Sequence, residues 1–231
     1  MQGLLLVDKP IGWTSFDVVN YVRRIVAKEE GKKPKNCKVG HTGTLDPFAS
    51  GLLVLLIGKD YTRKAGALSK VDKTYEVIME IGRSSTTGDP EGELSVKSTE
   101  VPERPEVLAA LEKFTGEIEQ IPPAFSAIKI DGVRAYKLAR EGKEVVIKAR
   151  PVTIHSIELV NYIYPDIAFT TEVSSGTYIR TLVEDIGAEL KTGAYTAELR
   201  RTRVGNFNIE DAVKVEGMTP ELLANHLQLL D

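Results

Sequence analysis

The sequence has little of what disulfide-linked, metal-binding and membrane-spanning proteins need. Cys37 is the only cysteine among the 231 residues, so no disulfide can form within the chain. The three histidines are scattered and show no metal-ligand spacing, which argues against a structural zinc site. The apolar run Leu52–Ile57 is far shorter than the roughly 20 residues that a transmembrane helix needs. We therefore expect a protein without disulfides, metal or membrane spans.

The start of the chain also lacks the features of an export signal. Its first residues, Met-Gln-Gly-Leu-Leu-Leu-Val-Asp, contain neither a basic region nor a long apolar region. Together with the single cysteine, this composition favours the cytoplasm as the compartment.

Net positive charge is missing as well. The 30 basic side chains are outnumbered by 33 acidic ones, which gives a net charge of −3. Because phosphate binding normally calls for an excess of basic residues, this argues mildly against nucleic acid as a partner. The basic residues are clustered, however, and each cluster is as well explained by a solvated face as by RNA contact. The clusters are Lys28–Lys38, Lys129–Arg150 and the arginines Arg200, Arg201 and Arg203.

The most informative stretch covers residues 38–57. Gly40 and Gly43 lie among small polar residues, which is typical of a loop that bends sharply or closely approaches a ligand. Asp46 is the one carboxylate in this loop, and Pro47 keeps its backbone out of the helical region. The apolar run behind it predicts a buried strand. A lone acid beside a rigid strand is a common mounting for a catalytic group, although Asp-Pro is also an ordinary turn.

Several separate strings resemble one known family, and they occur in the same order. The string Gly-His-Thr-Gly-Thr-Leu-Asp-Pro, which contains Asp46, resembles the signature of the bacterial-type tRNA pseudouridine-55 synthases, the TruB family. The resemblance extends over almost the whole chain. Its other motifs are Lys9–Ser15, Lys73–Tyr75, Gly176–Arg180 and Ala197–Gly205.

The resemblance implies roles for individual residues. Asp46 would be the catalytic nucleophile or base, and His41 would enter the RNA beside the position that a flipped uridine vacates. Tyr75 would stack on the target base, while Tyr178 and Leu199 would line its pocket. From the sequence pattern alone, Tyr75 alternates with Glu76 and shares one face of a predicted strand with Val77, Met79 and Ile81, so it is equally a core aromatic. Leu199 is equally a core leucine.

Arg180 is expected in the first turn of a helix, where the helix dipole disfavours a cation. Such a placement indicates an anion nearby, either a carboxylate or a phosphate. With the resemblance, we expect Arg180 to contact substrate and to pair with Asp46, which would keep that carboxylate ionised. Asp89, in the loop that precedes Gly92, is interpreted as a turn residue.

The reaction that the resemblance implies is isomerisation of uridine 55, in the T loop of tRNA, to pseudouridine. The uridine must flip out of its stack before a carboxylate can reach it. No group enters or leaves and no electrons are transferred, so neither a cofactor nor a metal is expected. Whether Asp46 attacks C6, attacks C1′ or promotes loss of the C2′ proton stays open. The acceptor of the C5 proton also stays open.

The resemblance and the mixture of predicted elements favour an α+β fold. We expect a mixed, mostly antiparallel central sheet flanked by helices, with a thumb-like insertion at about residues 122–150 that grips RNA. A single catalytic domain would cover residues 1–231, without the separate C-terminal RNA-binding (PUA-like) domain of many family members. We expect a monomer that binds the T-arm stem-loop of tRNA.

An alternative from a different class is a tRNA-binding and folding factor whose catalysis is secondary or lost. The surface that clasps and flips a base would serve both activities. Another structured RNA loop as the target is a weaker option. The presence of Asp46, Tyr75 and Arg180 together favours the enzyme, because a binding protein needs no nucleophile.

Overall fold

The computed structural model describes residues 1–126, 128–130, 132–141 and 147–229. Strands and helices are interspersed along the chain, as the α+β prediction requires. The strands are β1 (Gly3–Lys9), β2 (Val39–His41), β3 (Ser50–Ile57), β4 (Lys73–Ile81), β5 (Arg83–Ser85), β6 (Leu94–Val96), β7 (Gly116–Gln120), β8 (Lys129–Ile130), β9 (Val133–Arg134), β10 (Arg150–Ile163), β11 (Asp166–Val173), β12 (Ala194–Val204), β13 (Phe207–Asn208) and β14 (Val213–Lys214). The helices are α1 (Ser15–Glu29), α2 (Lys59–Arg63), α3 (Ala65–Leu68), α4 (Arg104–Lys113), α5 (Ala135–Arg140), α6 (Ile179–Glu189) and α7 (Pro220–Asn225). Within the described residues, none of these helices is long and apolar enough to cross a membrane.

The chain divides into two compact units. The first unit comprises residues 1–76 and 199–231, and the second comprises residues 77–198. The chain therefore leaves the first unit within β4 and returns to it within β12.

The first unit is built on a mixed sheet around β3. On one side β3 pairs antiparallel with β1, and β1 pairs parallel with β14. β3 also pairs antiparallel with β2 and, at its first residues, parallel with β12. β12 then pairs antiparallel with β13. The predicted strand at Leu52–Ile57 is confirmed, and it lies within the middle strand of this arrangement.

Helices cover both faces of β1 and β3. Because alternate residues of a strand point to opposite faces, Leu5, Leu53 and Leu55 pack against the apolar face of α1, together with Leu223 of α7. The intervening residues of the same strands pack with side chains of α2 and α3 on the other face. Coverage on both faces explains why β3 has an uninterrupted apolar sequence rather than an alternating one.

The start of α1 is fixed by its own sequence. Thr14 is the N-cap: its side chain accepts a hydrogen bond from the Asp17 amide, and the Asp17 carboxylate accepts one from the Thr14 amide. This reciprocal capping box satisfies two amides that the helix leaves without partners. Val18 and Val22 are buried on the inner face, as the spacing predicts. The capped end places Ser15 next to the loop that carries Asp46.

The second unit contains an antiparallel arrangement of β7, β10 and β11, with β10 in the middle. The helices α4 and α6 contact each other, and α4 also contacts β10. Their buried apolar side chains include Val107, Ala110, Leu111, Leu182, Val183 and Ile186. Leu182, Val183 and Ile186 match the inner face that the sequence predicts for α6. The inner face predicted for α4 is partly wrong, because Leu108 is exposed, whereas Val107 and Ala110 are buried beside Leu111. A separate hairpin is formed by β5 and β6.

The predicted thumb-like insertion is described only in part. β8 and β9 pair antiparallel, and α5 follows them directly. Residues 127, 131 and 142–146 of this segment lie outside the described residues, and the Asp-Gly turn that the sequence predicts includes one of them. The role of the segment in gripping RNA remains a prediction.

Candidate active site

The loop that carries Asp46 is held through its backbone by the motif at the end of β1. Ser15 Oγ accepts a hydrogen bond from the Leu45 amide at 2.8 Å and donates one to the Leu45 carbonyl at 3.0 Å. On the other side of Asp46, the Gly12 amide donates to the Pro47 carbonyl at 2.8 Å. Both neighbours of Asp46 are therefore fixed, and Asp46 itself is half-buried.

Lys9 organises the turn that makes these contacts. Its side chain is fully buried, and its Nζ donates to the carbonyls of Pro10 at 2.9 Å and Trp13 at 2.7 Å. A buried ammonium that binds two carbonyls of one turn fixes the shape of that turn. The first family motif thus supports the Asp46 loop.

Arg201 holds the same loop from strand β12. Its Nε donates to the Leu52 carbonyl at 2.7 Å, its Nη2 to the Gly43 carbonyl at 3.1 Å and its Nη1 to the Thr44 carbonyl at 3.4 Å. Only 2% of the residue is exposed. Neither interpretation of the arginine cluster, a solvated face or RNA contact, holds for Arg201, because the guanidinium faces the interior of the first unit and its donors bind carbonyls of the loop and of β3.

The two neighbouring arginines also have partners in the first unit. Arg200 makes a two-pronged ion pair with Asp8, with N–O distances of 2.8 and 3.1 Å. Arg203 donates from Nε to the Thr74 hydroxyl at 3.1 Å. Each arginine of the run thus has a different structural partner, which a run of three like charges does not predict.

Lys73 is a further buried cation of the first unit, besides Lys9 and Arg201. It is 8% exposed, and its Nζ donates to the carbonyls of Ser69 and Val71. Burial and, to a lesser degree, the positive charge of Arg201 lower the pKa of Lys73 from 10.5 to about 8. An ammonium with a lowered pKa is charged at neutral pH at the expense of folding free energy.

This shift predicts an unusual gain in stability at alkaline pH. Between about pH 8 and 10.5 the unfolded chain keeps the Lys73 proton, whereas the folded chain loses it. The unfolded state binds more protons in that window, so the free energy of unfolding contributed by Lys73 rises with pH, by roughly 3 kcal/mol over the full shift. Below about pH 8 both states are protonated and the full penalty persists.

The measurement is urea denaturation of the wild type and of Lys73→Met, which keeps the length of the side chain but cannot titrate, across this pH range. We expect the stability of the wild type to rise relative to that of the variant as pH increases. If the free energies of unfolding of the two proteins changed in parallel with pH, the pKa of Lys73 would not be lowered.

The other predicted site residues of the first unit lie on its strands. His41 is half-buried at the end of β2. Tyr75 is buried on the face of β4 that it shares with Val77 and Met79, as the alternation predicts. Leu199, in β12, is also buried. Burial agrees equally with core packing and with a pocket wall, so the binding roles of Tyr75 and Leu199 remain predictions.

In the second unit, Arg180 has the anionic partner that its position in a helix demands. It is the second residue of α6, 5% exposed, and its Nη1 lies 3.3 Å from the Asp89 carboxylate. The guanidinium also donates to the carbonyls of Thr87 at 2.7 Å and Phe125 at 2.9 Å. The predicted pairing of Arg180 with Asp46 remains a prediction.

Asp89 does more than the turn role that the sequence suggests. The residue is 3% exposed, and its carboxylate accepts hydrogen bonds from the Thr87 hydroxyl at 2.5 Å and the Glu91 amide at 3.1 Å. The contact with the Glu91 amide is the predicted turn, whereas the sequence does not predict the ion pair with Arg180. Nothing in the sequence connects the two residues, because 91 positions separate them.

Tyr178 is the N-cap residue of α6 and is held by a side chain that the sequence does not single out. The buried amide of Gln120 accepts from the Tyr178 amide at 2.7 Å and donates to its carbonyl at 3.0 Å. The guanidinium of Arg150 lies over the tyrosine ring, 5.2 Å from its centroid. The ring is thus preoriented, although it is only half-buried.

Known structures share this fold. A chain in a crystal structure titled as a Cbf5–Nop10–Gar1 complex matches 98% of this chain with a TM-score of 0.72 and 30% identity. This chain spans 60% of the matched one. A crystal structure of a pseudouridylate synthase matches with a TM-score of 0.50 and 16% identity, which supports the fold alone. The architecture is that of pseudouridylate synthases, and the predicted fold class is confirmed.

Sequence relatives identify the branch within this class. tRNA pseudouridine synthase B of Nitrosococcus oceani is 44% identical over 225 residues, 97% of this chain and 70% of the relative. The protein of the same name from Chlamydia pneumoniae is 40% identical over 212 residues, 92% of this chain and 86% of the relative.

Family models agree with these relatives. The model described as TruB family pseudouridylate synthase (N terminal domain) matches residues 29–179. A second model, described as tRNA pseudouridylate synthase B C-terminal domain, matches residues 180–228. The chain therefore belongs to the TruB family.

Proposed function

We propose that this chain isomerises a uridine of tRNA to pseudouridine and that Asp46 is its catalytic residue. The observation that carries the proposal is the Asp46 loop: the backbone on both sides of the aspartate is fixed by Ser15, Gly12 and Arg201, and Asp46 itself is half-buried rather than sealed in the core. A fixed backbone that carries a functional group outside the core is the arrangement that catalysis requires. The relatives named tRNA pseudouridine synthase B support the same reaction.

All bonds that break or form in the reaction belong to one nucleoside, so the atoms of substrate and product are the same. The bond between N1 and C1′ breaks, the uracil turns while it is held, and a bond forms between C5 and C1′. The proton on C5 is released and N1 takes one up, so the product is an isomer. Carboxylates are established nucleophiles at sugar carbons, and Asp46 acts here as nucleophile or as base.

The remaining site residues hold the base and the RNA. Flipping a stacked uridine costs a few kcal/mol. We assign Tyr75 to stacking on the flipped base, and such stacking contributes about 1–3 kcal/mol. Leu199 and Tyr178 line the base pocket, and His41 enters the RNA where the uridine leaves its stack. Arg180 contacts the substrate.

We further propose the T-arm stem-loop of tRNA as the recognised element, with the uridine at position 55 as the target. The segment at residues 122–150 is assigned to gripping this RNA. We expect a monomer, which sedimentation of the protein with and without RNA would check. Arg201 is not available for phosphates, because it is buried.

The experiment uses a T-arm hairpin carrying tritium at C5 of its uridines. Because C5 loses its proton when it bonds to C1′, each turnover releases one tritium into water. We expect release of one tritium per hairpin, and no release from a hairpin in which the target uridine is replaced by cytidine. The value of kcat/KM on the hairpin is expected to lie within about tenfold of that on whole tRNA.

Different results would contradict different parts of this proposal. No tritium release from either RNA would overturn the isomerase assignment. Release from the cytidine-substituted hairpin would overturn the choice of uridine. A preference for whole tRNA of about a hundredfold or more would show that recognition extends beyond the T arm.

A further inference from the structure

The Gly43–Asp46 segment needs support because its composition gives it little of its own. Glycine has the greatest backbone freedom of any residue, and Thr44 is exposed. The guanidinium of Arg201 binds the carbonyls of Gly43 and Thr44 and, through Nε, the carbonyl of Leu52 in β3. One rigid, planar side chain thus ties the loop to the strand that follows it.

The backbone of Arg201, from which this side chain extends, is itself held in place. Arg201 pairs with Gly51, at the start of β3. Gly51 has φ of +104°, and a Cβ at that position would lie 2.3 Å from the Arg201 carbonyl oxygen and 2.7 Å from its amide nitrogen. Only glycine allows the two backbones to approach so closely, and this contact fixes the point from which the guanidinium reaches the loop.

Burying the charge of Arg201 costs folding free energy, so stability alone does not explain why an arginine holds the loop. Its partners in the loop are neutral carbonyls, so the buried charge is solvated by dipoles, and Lys73 lies close enough for the two charges to interact. Replacing buried charges by well-packed apolar side chains is often neutral or stabilising. A buried guanidinium directed at the Asp46 loop therefore suggests a functional reason.

We propose that Arg201 is a positioning residue for the isomerisation, which fixes the Gly43–Thr44 backbone and thereby the place and direction of the Asp46 carboxylate. This inference rests on the proposed function. It replaces the phosphate contact that the run of arginines suggests. Arg201 is not expected to touch RNA, and its effect is transmitted through the loop backbone.

The test compares single-turnover rate constants and RNA affinity for the wild type, Arg201→Lys and Arg201→Ala, using the tritiated T-arm hairpin. Lysine keeps the charge but is one atom shorter, and its three donors all lie on one nitrogen, so they cannot span the separated carbonyls of Gly43, Thr44 and Leu52. We expect the rate constant to fall by about 30-fold in Arg201→Lys and further in Arg201→Ala, because small displacements of a reacting group are enough for such losses. The dissociation constant for the hairpin should change less than threefold.

A rescue experiment separates positioning from general destabilisation. Guanidinium chloride, well below its denaturing range, should restore part of the rate of Arg201→Ala by occupying the vacated site. Methylammonium chloride at equal ionic strength should not. The control is Val204→Ala, which removes a buried side chain three residues further along β12 without touching the loop. It should lower the melting temperature and leave the rate constant unchanged.

Each outcome of these experiments supports or overturns either the proposed function or the positioning role of Arg201. A wild type that releases no tritium overturns the proposed function, whatever the variants do. With an active wild type, a rate constant within twofold in Arg201→Lys overturns the positioning role. Loss of RNA affinity in proportion to the loss of rate, or an equal loss of rate in Val204→Ala, also overturns it. Selective loss of rate with rescue by guanidinium supports it.

Discussion

Asp46→Asn is expected to abolish pseudouridine formation, with a loss of about 10⁴-fold or more, as when the nucleophile of a catalytic constellation is removed. Asparagine has nearly the shape of aspartate but carries no charge and is a poor nucleophile. The contacts of Ser15, Gly12 and Arg201 are to backbone atoms of the loop, so the substitution leaves them in place. RNA affinity should therefore remain within a few-fold of the wild type.

The measurement is tritium release under single-turnover conditions together with the dissociation constant for the same hairpin. Asp60→Asn is the matched control, because Asp60 is 70% exposed and forms a surface ion pair with Arg63. It should behave as the wild type does in both assays. Turnover of Asp46→Asn within tenfold of the wild type would remove Asp46 from the reaction and favour the binding-factor alternative.

Arg180→Lys should lose activity while it keeps its charge, and the expected loss of rate is on the order of 10²-fold. The guanidinium binds Asp89 and the carbonyls of Thr87 and Phe125 in different directions, and an ammonium cannot reach all three. The buried Asp89 carboxylate would lose part of its pairing, which lowers stability as well. Arg180 is proposed to contact the reacting nucleoside. The rate constant should therefore fall by a larger factor than the affinity for RNA.

Activity, RNA affinity and thermal melting of Arg180→Lys should be compared with those of Arg83→Lys. Arg83 belongs to the same unit and forms an ion pair with Glu80 at 3.5 Å, but its side chain is 50% exposed. Exposed pairs contribute little, so this control should resemble the wild type in all three measurements. If Arg180→Lys lost only thermal stability, its role would be limited to anchoring the loop of Asp89.

Local patterns in the sequence predict much of the fold. The alternation in β4 and the apolar run of β3 give the faces and the burial of these strands, because side-chain direction in a strand repeats every two residues. The sequence offers Thr14 or Ser15 as the cap of α1 and Thr219 as the cap of α7, and in the structure Thr14 and Thr219 are the N-caps. These signals depend only on neighbours in the chain.

The supporting contacts of the site depend on residues far apart in the chain, and the sequence does not predict them. Arg201 and Gly43 are 158 positions apart, and Gln120 and Tyr178 are 58 apart. A run of arginines looks solvent-exposed because burial of charge is normally unfavourable, and only the arrangement of carbonyl oxygens around Arg201 makes it possible. The first-turn arginine of α6 does indicate an anion nearby, but the sequence leaves open whether it is a carboxylate or a phosphate, and only the structure identifies Asp89.

The most direct test of the account is a pseudouridine map of total tRNA from cells that contain the wild-type protein, Asp46→Asn or no copy of the gene. We predict one T-loop pseudouridine, at position 55, that is present with the wild type and absent in the other two. Retention of that pseudouridine without the gene, or its restoration by Asp46→Asn, would contradict the claim that this chain forms it through Asp46.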